Sequence, residues 1–204
     1  IAVTGGPSSG KSTVAAAFER RGWAVLSADE EAHKAIEPGT EGYARIVSFL
    51  GSRVVAPDGR LDRAAVADYV FDPSSAYLRP DGRVASDLLT ELEVIVHPVV
   101  REALLQRTAK LRASGASGVV WEVPLLFESG FECDVDDVVV VAVSEGVMLK
   151  RLMDKGLTGG EAMSRIRAQI PIAQKAELAD HLLPGDLPPE ELDKAVAAII
   201  RGEK

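Results

Sequence analysis

Gly5-Gly6-Pro7-Ser8-Ser9-Gly10-Lys11-Ser12-Thr13 is the stretch on which the fold turns. It matches the spacing G-x-x-x-x-G-K-[ST] of a phosphate-cradling loop, the Walker A pattern. Small residues let the backbone curl so that N–H groups face phosphate oxygens. The helix that follows turns its positive N-terminal end to the same anion. On this reading Gly6, Ser8, Ser9, Gly10, Lys11, Ser12 and Thr13 hold ATP, with Lys11 reaching the β- and γ-phosphates. The Ser12 hydroxyl is the expected Mg²⁺ ligand. A glycine-rich turn that merely joins a strand to a helix is the plainer alternative, and the flanks argue against it. Residues 1–4 read as the tail of a buried strand, and 11–21 as a helix with Val14, Ala15 and Phe18 on one face. A dinucleotide fingerprint, G-x-G-x-x-G, fails because Pro7 holds its third position.

Working outward, Gly22 stops that helix, 23–26 reads as a second strand, and a helical run follows from Asp29. Strand, loop, helix and strand in this order open a parallel α/β fold. Ligands of such sheets bind beyond the carboxyl ends of the strands, so Asp29 is a candidate to accept a proton or hold a Mg²⁺-bound water. A helix N-cap is the equal alternative. Residues 39–114 are mostly helical in pattern, with turns at Pro57-Asp58-Gly59 and Pro80-Asp81-Gly82. The valine-rich runs 119–123 and 138–143 suit strands covered on both faces. Glu122 stands where a Walker-B-type acid would stand, but a polar strand end is the preferred reading. Residues 148–166 read as helices broken near Gly156 and Gly159-Gly160, and Pro189–Ile200 as a last helix.

The 204 residues suit one globular unit, and 47% apolar content supplies a core. A net charge of −8 argues against a nucleic-acid partner, whose affinity rests on clustered Lys and Arg. The single Cys133 forms no internal disulfide and is too few for a cysteine zinc site, and the three histidines lack metal-ligand spacing. No run approaches a membrane span, and no signal peptide is visible. The chain opens on Ile1 without methionine, so a short preceding piece is expected. The expected setting is the cytoplasm, with no membrane partner, and the expected state is a monomer.

Beyond the loop, Ala28-Asp29, Asp58-Gly59-x-Leu61-Asp62-Arg63, Leu92-Glu93-x-Ile95-x-His97-Pro98 and Pro124-Leu125-Leu126-Phe127-Glu128-x-Gly130 follow in order. With Arg165-Ile166-x-x-Gln169, Lys175 and Ala179-Asp180, the pattern resembles the dephospho-CoA kinase family over nearly the whole chain. The resemblance implies a three-layer P-loop core (about 1–30 and 115–204), a helical acceptor-binding insertion (about 31–114) and a helical lid (about 145–176). It implies transfer of the ATP γ-phosphoryl group to the ribose 3′-hydroxyl of dephospho-CoA, with Mg²⁺. By the same likeness Asp29 is the base, and His97, Pro98, Leu125 and Glu128 line the acceptor side. Arg151 and Arg165 are lid cations that act with Lys11 on the transferring group. A solvated helix face is the plain reading of either arginine, and a satisfied histidine beside a helix N1 proline that of His97.

Several residues depart from the family's usual pattern. Pro7 and Ser8 replace an apolar residue and glycine, so Ser8 must take whatever φ that glycine takes. Ser27 replaces an aspartate, Lys155 an arginine in a lid one residue short, and Pro184 an asparagine before Gly185. Residues 77–88 form an apparent insertion. Another small-molecule or nucleotide P-loop kinase is the nearest rival. A GTP switch would carry an N-K-x-D segment, which does not occur.

Overall fold

The computed structural model describes residues 1–62, 64–67 and 85–203. Arg63, the expected Pro80-Asp81-Gly82 turn and the 77–84 part of the apparent insertion lie outside them. The chain forms two compact units, Ile1–Ala28 with Arg107–Lys204, and Asp29–Gln106.

The first unit is built on a five-stranded parallel sheet: β1 (Ala2–Gly5), β2 (Ala24–Ser27), β3 (Val119–Glu122), β4 (Val138–Ala142) and β5 (His181–Pro184), in the order β2-β3-β1-β4-β5. β1 is wholly buried, and β4 is an unbroken β-branched run before its last residue. That composition marks strands covered on both faces. Helix α1 (Lys11–Glu19) lays Val14, Ala17 and Phe18 on the sheet. The Phe18 ring meets Trp23 at 5.6 Å between centroids. Leu192, Val196 and Ile199 of the last helix, Pro189–Ile200, join the same core at the spacing of one helical face. The two neighbours of β1 are β3 and β4, reached by different crossovers, so its carboxyl end is a topological switch point.

The predicted strands stand within a residue or two of their places, but β5 was not anticipated. It is a short edge strand, half exposed and ended by Pro184, with little apolar alternation to announce it. The helix break read near Gly156 and Gly159-Gly160 falls at residues 155–158. One helix ends at Asp154, and the next, Gly159–Arg167, opens on the two glycines because Thr158 and Glu161 cap it reciprocally in a capping box.

The second unit carries α2 (Ala28–Ala35), α3 (Glu41–Leu50) and most of α4 (Ala85–Ala113), whose end crosses into the first unit. Ile46, Leu50, Val54 and Leu88 form its core. The Pro57-Asp58-Gly59 turn closes a small hairpin in which Val55 bridges Leu61. Pro98 lies inside α4 rather than at its first turn, so the N1-proline reading of His97-Pro98 is corrected. Proline there withholds the N–H that the carbonyl four residues back would receive.

Candidate active site

β1 ends at Gly5 and α1 begins at Lys11, and the loop between them is a tight reversal. The Gly6 carbonyl accepts from the Ser9 N–H at 3.2 Å, with Pro7 and Ser8 between. Ser8 has φ +54. A proline followed by a positive φ is the signature of a type II turn, and Pro7 pre-sets the first of these angles. Ser8 is the sole non-glycine at positive φ among the described residues, a conformation that costs an L-residue roughly 1–2 kcal/mol. Gly10, at φ +107, caps α1 without a side chain. The opening N–H groups of a helix have no intrahelical acceptors, and an uncluttered cap leaves room for an anion there.

Several side chains meet at this loop. The buried Lys11 ammonium donates to the Gly5 and Gly6 carbonyls at 3.0 and 2.8 Å. The Ser12 hydroxyl donates to Glu122 Oε1 at 2.5 Å. Register explains the second contact: Glu122 ends β3 opposite both Val3 of β1 and Ser27 of β2. Glu122, read from the sequence as a strand-end polar residue, therefore belongs to the phosphate-loop site. Arg151, on helix α6 (Glu145–Asp154; α5 is Leu126–Ser129), reaches the Ser8, Ser9 and Gly185 carbonyls at 3.1 to 3.4 Å. Gly185 follows β5 so closely that a Cβ there would strike the Ser9 carbonyl. Lys155, one turn beyond Arg151, donates to the Ser8 hydroxyl at 3.1 Å.

The family profile for dephospho-CoA kinase matches residues 1–187. The chain belongs to the dephospho-CoA kinase family. A dephospho-CoA kinase of Geobacillus kaustophilus is 38% identical over 202 residues, 98% of this chain and 94% of its own. One from Anaeromyxobacter dehalogenans is 42% identical over 193 residues, 94% and 86% of the two chains. The crystal structure of TT1252 from Thermus thermophilus superposes with a TM-score of 0.78 at 33% identity, covering 100% of this chain and 96% of that one.

In this kinase a second polar centre lies beside the loop. Lys175, on α8 (Ile172–Glu177), is fully buried and pairs with Glu128 at 2.9 Å. It also donates to the Pro124 carbonyl at 3.0 Å and to Gln169 at 3.3 Å. Glu128 further accepts from the Ile170 N–H at 2.9 Å. A buried ammonium requires such partners, and here they tie the 169–175 stretch to the end of β3. Residues 169–173 of that stretch, with Gly6, Pro7 and Met148, wall a cavity of about 300 Å³. Arg167 is among its lining residues. Arg165 is exposed on α7 (Gly159–Arg167), near enough to Glu161 to act on its charge. Of the two arginines on this helix, the sequence pointed to Arg165, whereas Arg167 lines the cavity; two residues apart, they face different sides of the helix.

Asp29, at the second position of α2, is exposed and opens the second unit, to which His97 and Pro98 also belong. Leu125 precedes α5. For a metal, no group of three or more His, Cys, Asp or Glu among the described residues has the required arrangement. Mg²⁺ shared with phosphates asks for less: one or two protein oxygens suffice, and the Ser12–Glu122 pair is the one at this loop that could supply them. No helix among the described residues is long and apolar enough to cross a membrane.

Proposed function

We propose that this kinase moves the γ-phosphoryl group of ATP to the ribose 3′-hydroxyl of dephospho-CoA and releases coenzyme A and ADP. The observation that carries the proposal is the family match over residues 1–187 joined to the Lys11–Ser12–Glu122 arrangement at the exit of β1. The acceptor oxygen attacks the γ-phosphorus, the bond to the bridging oxygen breaks, and Asp29 takes the hydroxyl proton. Lys11, aided by Arg151 and Arg165, offsets charge on the group in transit, because phosphoryl transfer depends on positioning and cations more than on covalent chemistry. Ser12 and Glu122 would hold Mg²⁺, which supplies further charge neutralisation at the phosphates when bound. Gly6, Ser8, Ser9, Gly10 and Thr13 complete the ATP cradle.

Contacts to the acceptor are assigned to His97 and Pro98 in the second unit, and to Leu125 and Glu128 in the first. Residues 145–176 serve as a lid that excludes water and so suppresses ATP hydrolysis. The decisive test mixes the protein, ATP and Mg²⁺ with dephospho-CoA, and separately with nucleoside monophosphates. Coenzyme A should form in the first mixture, with no comparable turnover in the others. Phosphorylation of a nucleoside monophosphate in preference to dephospho-CoA would replace this reading with that of a nucleotide kinase.

A further inference from the structure

Ser8 sits in a conformation that glycine would take without strain, at the turn position that favours glycine. Its side chain is therefore unfavourable for the turn itself. Its two oxygens, however, are both engaged by one helix. Arg151 holds the carbonyl at 3.1 Å, and Lys155, four residues later on the same face, holds the hydroxyl at 3.1 Å. Removing the hydroxyl would leave the Arg151 contact intact and release only Lys155. Lys155 is exposed, follows the last residue of α6 and precedes Gly156, so nothing on its own element fixes where its ammonium stands. A long, flexible ammonium loses much of its effect on an anion when it must first be ordered, and a neutral hydroxyl orders it without cancelling its charge.

We propose that Ser8 is a positioning residue for ATP: its hydroxyl stations the Lys155 ammonium at the phosphate loop, ready for the triphosphate. The inference rests on the reading that this loop holds ATP phosphates and deepens it by naming a second cation and the group that places it. It predicts a pairing of effects, since the Ser8 hydroxyl acts on ATP only through Lys155, while the backbone N–H that Ser8 brings to the cradle is the same in glycine.

The test is a double-mutant cycle on Ser8→Gly and Lys155→Met, with Lys155→Arg as the conservative variant. It reads ATP Kd by calorimetry, KM for ATP and kcat with dephospho-CoA, and the thermal midpoint. Ser8→Gly should raise the midpoint, because the turn is relieved, yet weaken ATP binding about 3- to 10-fold through Kd and KM, with kcat moving less than about 2-fold. Lys155→Met should weaken ATP binding about 10-fold, and adding Ser8→Gly to it should do nothing more to Kd. Lys155→Arg should retain most of the affinity. The proposal is overturned if Ser8→Gly leaves Kd unchanged, or if the two losses multiply. A wild-type protein that binds ATP but makes no coenzyme A would defeat the acceptor assignment alone, because the Kd cycle is read without turnover.

Discussion

Arg151 and Lys175 are two cations brought by helices after β4 to the carboxyl ends of the sheet, and they are held in opposite ways. Arg151 faces three neutral carbonyls of the phosphate loop and the turn after β5. Lys175 is fully buried against the Glu128 carboxylate. A carbonyl positions a cation and leaves its charge to act on an anion, whereas a carboxylate cancels that charge. On the proposed reading the loop side is arranged to receive phosphate, and the Glu128–Lys175 side to hold the wall of the neighbouring cavity in place. Burial alone does not separate a functional cation from a structural one; the partner's charge does.

That contrast can be tested from both sides. The largest effect is expected at the loop: Lys11→Ala should reduce kcat/KM on the order of 10³-fold or more, with the fold retained in circular dichroism. Nearly full activity would show that the loop does not handle phosphate. On the other side, Lys175→Met strands Glu128 and should lower stability by about 3–5 kcal/mol in urea unfolding. Pairing it with Glu128→Leu should recover much of that loss, because no lone charge is left behind. If Lys175→Met instead left stability untouched, the distinction between the two cations would collapse.

Asp29→Asn should cut kcat on the order of 10²-fold while ATP affinity measured by calorimetry stays close to wild type. Near wild-type turnover would remove Asp29 from the role of base. A smaller effect is expected for Arg151→Met: ATP Kd should rise about 10-fold, the equivalent of roughly 1.4 kcal/mol. A variant with unchanged Kd and a large stability loss would class Arg151 with Lys175.

The smallest effect lies at the start of α7. The Glu161 carboxyl is held below its ordinary value first by the Thr158 hydroxyl, then by the Thr158 N–H. Because its folded value is lower than its unfolded one, this contribution is complete above the unfolded value and fades as pH falls through the folded value. Thr158→Ala should return the Glu161 titration, followed by NMR, toward an ordinary carboxylate and reduce the acid dependence of stability.

How much of this was legible in the chain varies with distance along it. The loop and its helix were readable because nine consecutive residues carry their own backbone instructions. The helix break near Gly156 and Gly159-Gly160 was equally local, and the capping box at Thr158 sets where the next helix starts. β5 was missed because four residues at a sheet edge make no period. Glu122 was undervalued for a different reason. Its partner Ser12 is 110 residues away, and only the register of β3 against β1 joins them.

From the chain alone come the phosphate loop, the parallel sheet around it, the family and the warning that Ser8 would be strained, all properties of residue type and short-range spacing. The tertiary structure decided which charges meet: Ser12 with Glu122, Arg151 with carbonyls, Lys175 with Glu128, Lys155 with Ser8. The reason is physical. Backbone curl is set by neighbours a few bonds apart, but the fate of a charge depends on groups that only strand register and helix packing bring within 3 Å or so of it.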